Sequence, residues 1–486
     1  MNRRSTLFLV SGLVLAVACA TADGQNSGPD GGISPGSDAG VEGGQSAAPI
    51  YLAPEPQRPG DPQKGYSALV NNPYVPCGIP KTAYAKVFGP AGEADRIPGR
   101  EGKNVDLPYN FTSFTTKENV EVITSNCLTC HAGRINGKLV VGLGAADGDF
   151  TATPGSQKNV FTAVGQFVET EAERAEWLKW KERVTSIVEY SHLETRGPNP
   201  ADEFTGILFA HHDPKTLAWI SSPPNLPQPS DVPVDVPPWW RMAKKSSMFY
   251  VGGGRGDHAR HMMTASILCI SSVEEAKAID AYFGDVNAYI STLAAPKYPF
   301  PIDEALAAKG RTVFEATCSR CHGTYGDKPT YPNLLVPLAD VRTDALLASG
   351  TAQFTKPLVD WHAASFFGEI SRLEPLEGYV PPPLDGIWAT APFLHNGSVP
   401  TIAALLDSKT RPTYWSRSFD SNDFDPVALG WKHTVLSEGK EGAASAKDKA
   451  AIYDTTHPGY GNGGHTYGDA LTPSDRAAVI EYLKKL

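Results

Sequence analysis

Along residues 172–192, apolar Trp177, Trp180, Val184 and Ile187 recur at spacings of three and four among charged positions, which predicts the clearest helix of the first half. Residues 303–317 put Leu306, Gly310, Val313 and Phe314 on one helical face. Near the C-terminus, Val479, Tyr482, Leu483 and Leu486 form a second apolar stripe behind Thr472-Pro473-Ser474-Asp475. That tetrad reads as a helix start, with Thr as N-cap, Pro at the first helical position and Asp favourable to the dipole. Further helices are expected at 274–294 and, briefly, at 117–127. Between them the periodicity breaks. Residues 49–110 hold short apolar runs among Pro and Gly, 221–238 read as a Pro-rich extended surface loop, and Gly142, Gly144 and Gly148 mark another loop. The pattern is that of a mainly α chain with long irregular loops and little β.

The length of 486 residues, with 41% apolar content, provides cores for two or three domains. A net charge of −10 argues against nucleic acid or an anionic membrane surface as partner, because both need concentrated Lys and Arg. A cationic redox partner is compatible with it. Residues 1–18 read as an export signal, with Arg3-Arg4 as basic region and an apolar run from Leu7 to Ala18. Leu15-Ala16-Val17-Ala18-Cys19 resembles a lipobox, which would make Cys19 a lipidated N-terminus and give the protein a lipid anchor; simple cleavage is the alternative. Residues 19–48, rich in Gly, Ser, Asp and Ala, read as a flexible tether.

Cys127-Leu128-Thr129-Cys130-His131 and Cys318-Ser319-Arg320-Cys321-His322 repeat the pattern Cys-x-x-Cys-His. This is the attachment signal for haem c: two thiols add across the porphyrin vinyl groups and the adjoining His supplies an axial ligand. Zinc clamps usually bring their Cys pairs close together in sequence, and these two are far apart. Two covalently bound haem c groups are therefore expected, with His131 and His322 on iron. Cys77 and Cys269 remain, either as a disulfide or as two separate buried thiols.

The strip Pro383-Leu384-Asp385-Gly386-Ile387-Trp388-Ala389-Thr390-Ala391-Pro392-Phe393-Leu394-His395-Asn396-Gly397-Ser398 resembles the signature of the di-haem cytochrome c peroxidase and methylamine-utilisation superfamily. Together with Gly463-Gly464-His465-Thr466-Tyr467-Gly468 and the two haem motifs, it is similar to rubber-oxygenase-like di-haem cytochromes. Gly310 and Phe314, four residues apart just before the second motif, resemble the site where a C-terminal helix crosses in small cytochrome c domains. The resemblance implies two cytochrome c-like haem domains, an N-terminal one over 49–300 and a C-terminal one over 301–486. It implies a reactive first haem and an electron-handling second haem whose sixth ligand is His465, with His395 as second choice; a structural hydrogen bond is the other reading of His395. It also implies a Trp between the haems, for which Trp240 is the candidate and Trp239 the rival, with a Pro-Pro-Trp-Trp wedge packed in a core as the other reading, and it suggests a calcium ion for which no ligand set is visible.

Arg255, His258, Arg260 and His261 are candidates to line the reactive haem or pair with its propionates, with surface loop charge as the alternative. His211-His212 read equally well as exposed. The expectation is an exported di-haem oxidoreductase, periplasmic or anchored at the outer membrane. It would act on peroxide with a small redox protein as donor, or on dioxygen with a small-molecule substrate such as an isoprenoid. A pure electron-transfer cytochrome with both haems six-coordinate is the alternative.

Overall fold

Asp303 caps the helix that leads into the second haem motif by accepting from the Leu306 amide. The protein is described by a computed structural model over residues 48–151, 154–188, 192–227, 231–349 and 355–486. The export signal, Cys19 and nearly all of the tether lie outside these residues.

The first half is built on helix α1 (Pro62–Asn71) and a small antiparallel sheet of β1 (Ile79–Pro80), β2 (Phe111–Thr115) and β3 (Glu121–Ser125), with β3 in the middle. The helix expected at 117–127 is thus a strand. Asn119 turns the chain at φ 60°, and the run Val122-Ile123-Thr124 has two β-branched aliphatics buried in the sheet, so side-chain shape outweighs the short helical pattern. The first haem motif follows on the single turn α2 (Leu128–His131), and a hairpin of β4 (Ala132–Ile135) and β5 (Lys138–Val141) closes around Asn136-Gly137, both at positive φ.

Helices α3 (Glu171–Val188), α4 (Ala201–Ala210) and α5 (Val273–Ile290) are among the others in this part. Trp177, Trp180, Val184 and Ile187 of α3 are buried as their spacing requires, and Trp177 stacks on Trp180 at 5.4 Å. Cys77 is disulfide-bonded to Cys269, 192 positions away, inside the core that holds these two indoles. The loop expected at the surface over 221–238 turns inward at Val232 and Val234, which join the main core.

In the second half, α6 (Glu304–Thr317) runs into the turn α7 (Ser319–His322), and α8 (Lys356–Ala364) and α9 (Pro473–Leu483) follow. Thr472 caps α9 by accepting from the Asp475 amide. Helix α9 crosses α6 at Gly310, with the Phe314 and Tyr482 rings 5.3 Å apart. Packing crosses the expected boundary at 300/301: Ile187, Phe209 and Phe283 share one cluster with Val336, Leu347 and Phe367. Likewise β6 (Gly254–Gly256) pairs antiparallel with β7 (Ser371–Leu373). Helix outweighs strand, and no barrel forms among the described residues. No helix of the described residues is long and apolar enough to cross a membrane.

Candidate functional site

Each Cys-x-x-Cys-His motif opens onto its own cavity. The first, of about 410 Å³, is lined by Cys127, Cys130 and His131; the second, of about 180 Å³, by Cys318, Cys321, His322 and His465. None of the four motif cysteines is in a disulfide, so both pairs are available to hold a haem.

In the second cavity the Nδ1 of His322 lies 2.8 Å from the carbonyl of Pro382. Only an N–H can bond there, which leaves Nε2 as the lone-pair nitrogen available to a metal. Across the cavity stands His465, its ring centroid 6.1 Å from that of His322. Two imidazoles on opposite sides of one iron, each with its nitrogen about 2.0–2.1 Å from the metal and about 1.1 Å from its ring centre, stand roughly 6 Å apart. The donor set and its spacing fit a haem with two histidine ligands.

The chain around His465 is bent for this placement. Gly464 and His465 both have positive φ, 69° and 45°, and a Cβ on Gly464 would strike the Arg342 backbone at 2.2 Å. Arg411 holds the bend, donating to the carbonyls of Asn462, Gly464 and His465 at 2.6, 2.7 and 3.1 Å. The Nδ1 of His465 is buried without a partner, and burial pulls the ring down to about 3. His395 lines the same cavity, stacked on Tyr379 at 4.2 Å with its Nε2 3.1 Å from the Tyr379 hydroxyl. It is a hydrogen-bonding partner of Tyr379 at the cavity wall.

The first cavity is arranged differently. His131 is stacked on Trp239 at 4.7 Å, and burial lowers it to about 4, opposed by the nearby Pro237 carbonyl. Among the described residues no imidazole is paired with His131 as His465 is with His322. Much of the wall is apolar, including Trp180, Leu208, Phe209 and Ile267, and its polar part includes His261 and His362. These two rings stack at 5.6 Å; His261 Nε2 meets the Arg255 carbonyl at 2.8 Å, while His362 Nδ1 is buried with no partner.

Several residues singled out from the sequence stand elsewhere. Trp240 lines neither cavity; its Nε1 donates to the Asp385 carbonyl at 2.8 Å within the core beside Phe314 and Trp388. Its neighbour Trp239 is the one at the first cavity. Arg255 is buried against Glu55, and Arg260 against Asp280. His258 is buried outside both cavities, leaving His261 as the one member of that group on a cavity wall. His211 and His212 are buried rather than exposed, bonded to the carbonyls of Ile220 and Leu208. Among the described residues no group of three or more His, Cys, Asp or Glu is arranged to hold a metal ion, so no calcium site of that kind is present there.

Five residues line both cavities: Asp235, Arg241, Tyr250, Val380 and Pro382. Sequence reasoning missed them all. The available signal was the charge of Arg241 directly after Pro237-Pro238-Trp239-Trp240, an apolar run in which a surface arginine is out of place.

The family described as RoxA-like, cytochrome c-like matches residues 378–416, which contain the strip quoted above and His395. The chain is similar there to a cytochrome c-like domain of the rubber-oxygenase type, a domain that carries covalently bound haem c. Two proteins of Sinorhizobium fredii are also similar. The uncharacterized protein y4iJ is 44% identical over 115 residues, 21% of this chain and 17% of that protein. The uncharacterized protein y4iM is 27% identical over 308 residues, 54% of this chain and 67% of that protein.

Proposed function

We propose that the protein is an exported di-haem c-type oxidoreductase that acts on peroxide or dioxygen at its first cavity and stores or relays electrons at its second. The observation that carries this reading is the difference between the cavities. His322 and His465 stand at the spacing of two ligands on one metal, whereas His131 has Trp239 against its ring and a larger, mostly apolar space beside it. A centre closed by two imidazoles suits electron transfer, and one with a single imidazole leaves room for a small ligand. When bound, haem c supplies the redox chemistry.

The chain's own residues do the rest. Cys127, Cys130 and His131 would hold one haem; Cys318, Cys321, His322 and His465 would hold the other. Pro382 fixes the tautomer of His322 and also lines the first cavity, so the two sites share a wall one residue thick at this point. The apolar side chains of the first cavity would pack on the haem held there and exclude water from it. The disulfide between Cys77 and Cys269 supports an oxidising compartment, in keeping with export and with lipidation at Cys19.

A second reading, a pure electron carrier, is favoured by His362, whose unpartnered Nδ1 lies at the wall of the first cavity where a sixth ligand could come from. Carbon monoxide binding to the reduced protein decides between them. One haem per chain should bind it; none binding, in a protein that carries two low-spin haems, sinks the oxidoreductase reading. Turnover of hydrogen peroxide with a reduced small cytochrome, set against oxygen uptake on an isoprenoid, then separates the two chemistries.

A further inference from the structure

Arg241 sits on the short 3-10 helix Trp239–Lys244 and is 6% exposed. Its donors go to neutral oxygens: Nε to the Asp385 carbonyl and Nη2 to the Thr390 hydroxyl, both at 3.2 Å. The acidic side chains that act on it are already engaged. Both carboxylate oxygens of Asp385 accept from Lys244, at 2.7 and 2.8 Å, and Asp235 accepts from the Tyr250 hydroxyl at 3.0 Å. Burial in addition raises Asp235 to about 8, which favours its neutral form. A guanidinium cannot shed its charge as Asp235 can, so it stays cationic in the interior with no carboxylate paired to it among the described residues. A buried charge in that condition is costly unless an anion meets it.

The side chain faces both cavities. Four residues further on, half-buried Lys245 lines only the first; its ammonium donates to the Phe249 carbonyl at 3.4 Å, and burial lowers it to about 8. The wall between the cavities thus carries cationic donors for planar carboxylates, one of them shared.

We infer that Arg241 is a shared anion site that takes a propionate carboxylate of the haem in each cavity and so sets the potential of both redox centres together, with Lys245 serving the first haem alone. Arg is suited to this because its guanidinium carries five N–H donors, and the two given to Asp385 and Thr390 leave three to divide between two carboxylates. A positive charge on the wall of both cavities would favour the reduced state of a haem held in either, since reduction adds negative charge. The inference rests on the two-haem reading above.

Spectroelectrochemical titration of the purified holoprotein tests it, with the haems told apart by absorption and electron paramagnetic resonance. Arg241→Gln should make reduction of both haems less favourable by about tenfold, a fall of about 59 mV in each one-electron potential. Arg241→Lys should leave both near wild type, and Lys245→Gln should lower the first alone. Two haems retained in Arg241→Gln with one potential or neither moved would overturn the inference, as would an equal effect of Lys245→Gln on both. If Arg241→Gln does not load both haems, redox-difference infrared spectra of Arg241→Lys with propionate-labelled haem decide. A shift of the carboxylate bands of both haems supports the shared site, and a shift at one or neither overturns it. A haemochrome assay giving one haem per chain in the wild type overturns the two-haem reading and this inference together.

Discussion

Gly310 lies so close to Ala478 that a Cβ built on it would stand 1.8 Å from the Ala478 carbonyl oxygen. No side chain fits between the two helix backbones, and the contact holds the helix of the second haem motif under the C-terminal helix.

Gly310→Ala should therefore be strongly destabilising, although alanine is the better helix former. The methyl group has to push two packed backbones apart, and overpacking of this kind costs about 1–3 kcal/mol. Urea unfolding followed by far-ultraviolet circular dichroism should show that loss. A variant as stable as wild type would mean that the helices do not meet at this residue.

His465→Ala should convert the second haem from a low-spin to a high-spin spectrum and open it to carbon monoxide, because the ring facing His322 at 6.1 Å is removed. Added imidazole should restore the low-spin spectrum. An unchanged spectrum of both haems would remove His465 from the ligand set and return attention to His395.

The Cys77–Cys269 bond closes a long loop, since the two residues are 192 positions apart. Replacing both by Ser should lower stability by about 2–4 kcal/mol, mostly by freeing the unfolded chain. Thiol titration of the denatured, unreduced wild type should find neither of these sulfurs reactive.

His362 is buried, and burial lowers it to about 3, well under the ordinary histidine value of about 6.5. Between those two values the unfolded state binds a proton that the folded state does not, so stability from this group is lost as pH falls. Buried Asp202, raised to about 7, works in the opposite sense over much of the window, which makes a difference measurement necessary. The stability of wild type relative to His362→Gln should fall by up to about 1.4 kcal/mol per pH unit from about pH 6.5 downward. Parallel curves for the two proteins would show that His362 is protonated in the folded state or exposed to solvent.

Much of this protein was legible in the order of its residues because the signals are local. Covalent haem attachment needs two thiols and an imidazole within five consecutive residues, so both motifs declare themselves. The N-cap at Thr472, the apolar stripe behind it and the buried face around Trp177 and Trp180 follow from helical periodicity alone. Local reading failed where short segments obey their neighbours: 117–127 became a strand because β1 and β2 were there to pair with it.

Only the tertiary structure decided which residues face the two cavities. Trp239 and Trp240 are adjacent in sequence, yet one stacks on His131 and the other donates to Asp385 in the core. Arg255 and His258 carry suitable chemistry but are spent on Glu55 and on burial outside the cavities, while Arg241 stands between both. Cavity walls are assembled from segments far apart along the chain, and the direction of a side chain there is set by packing between segments, a term that neither composition nor periodicity contains.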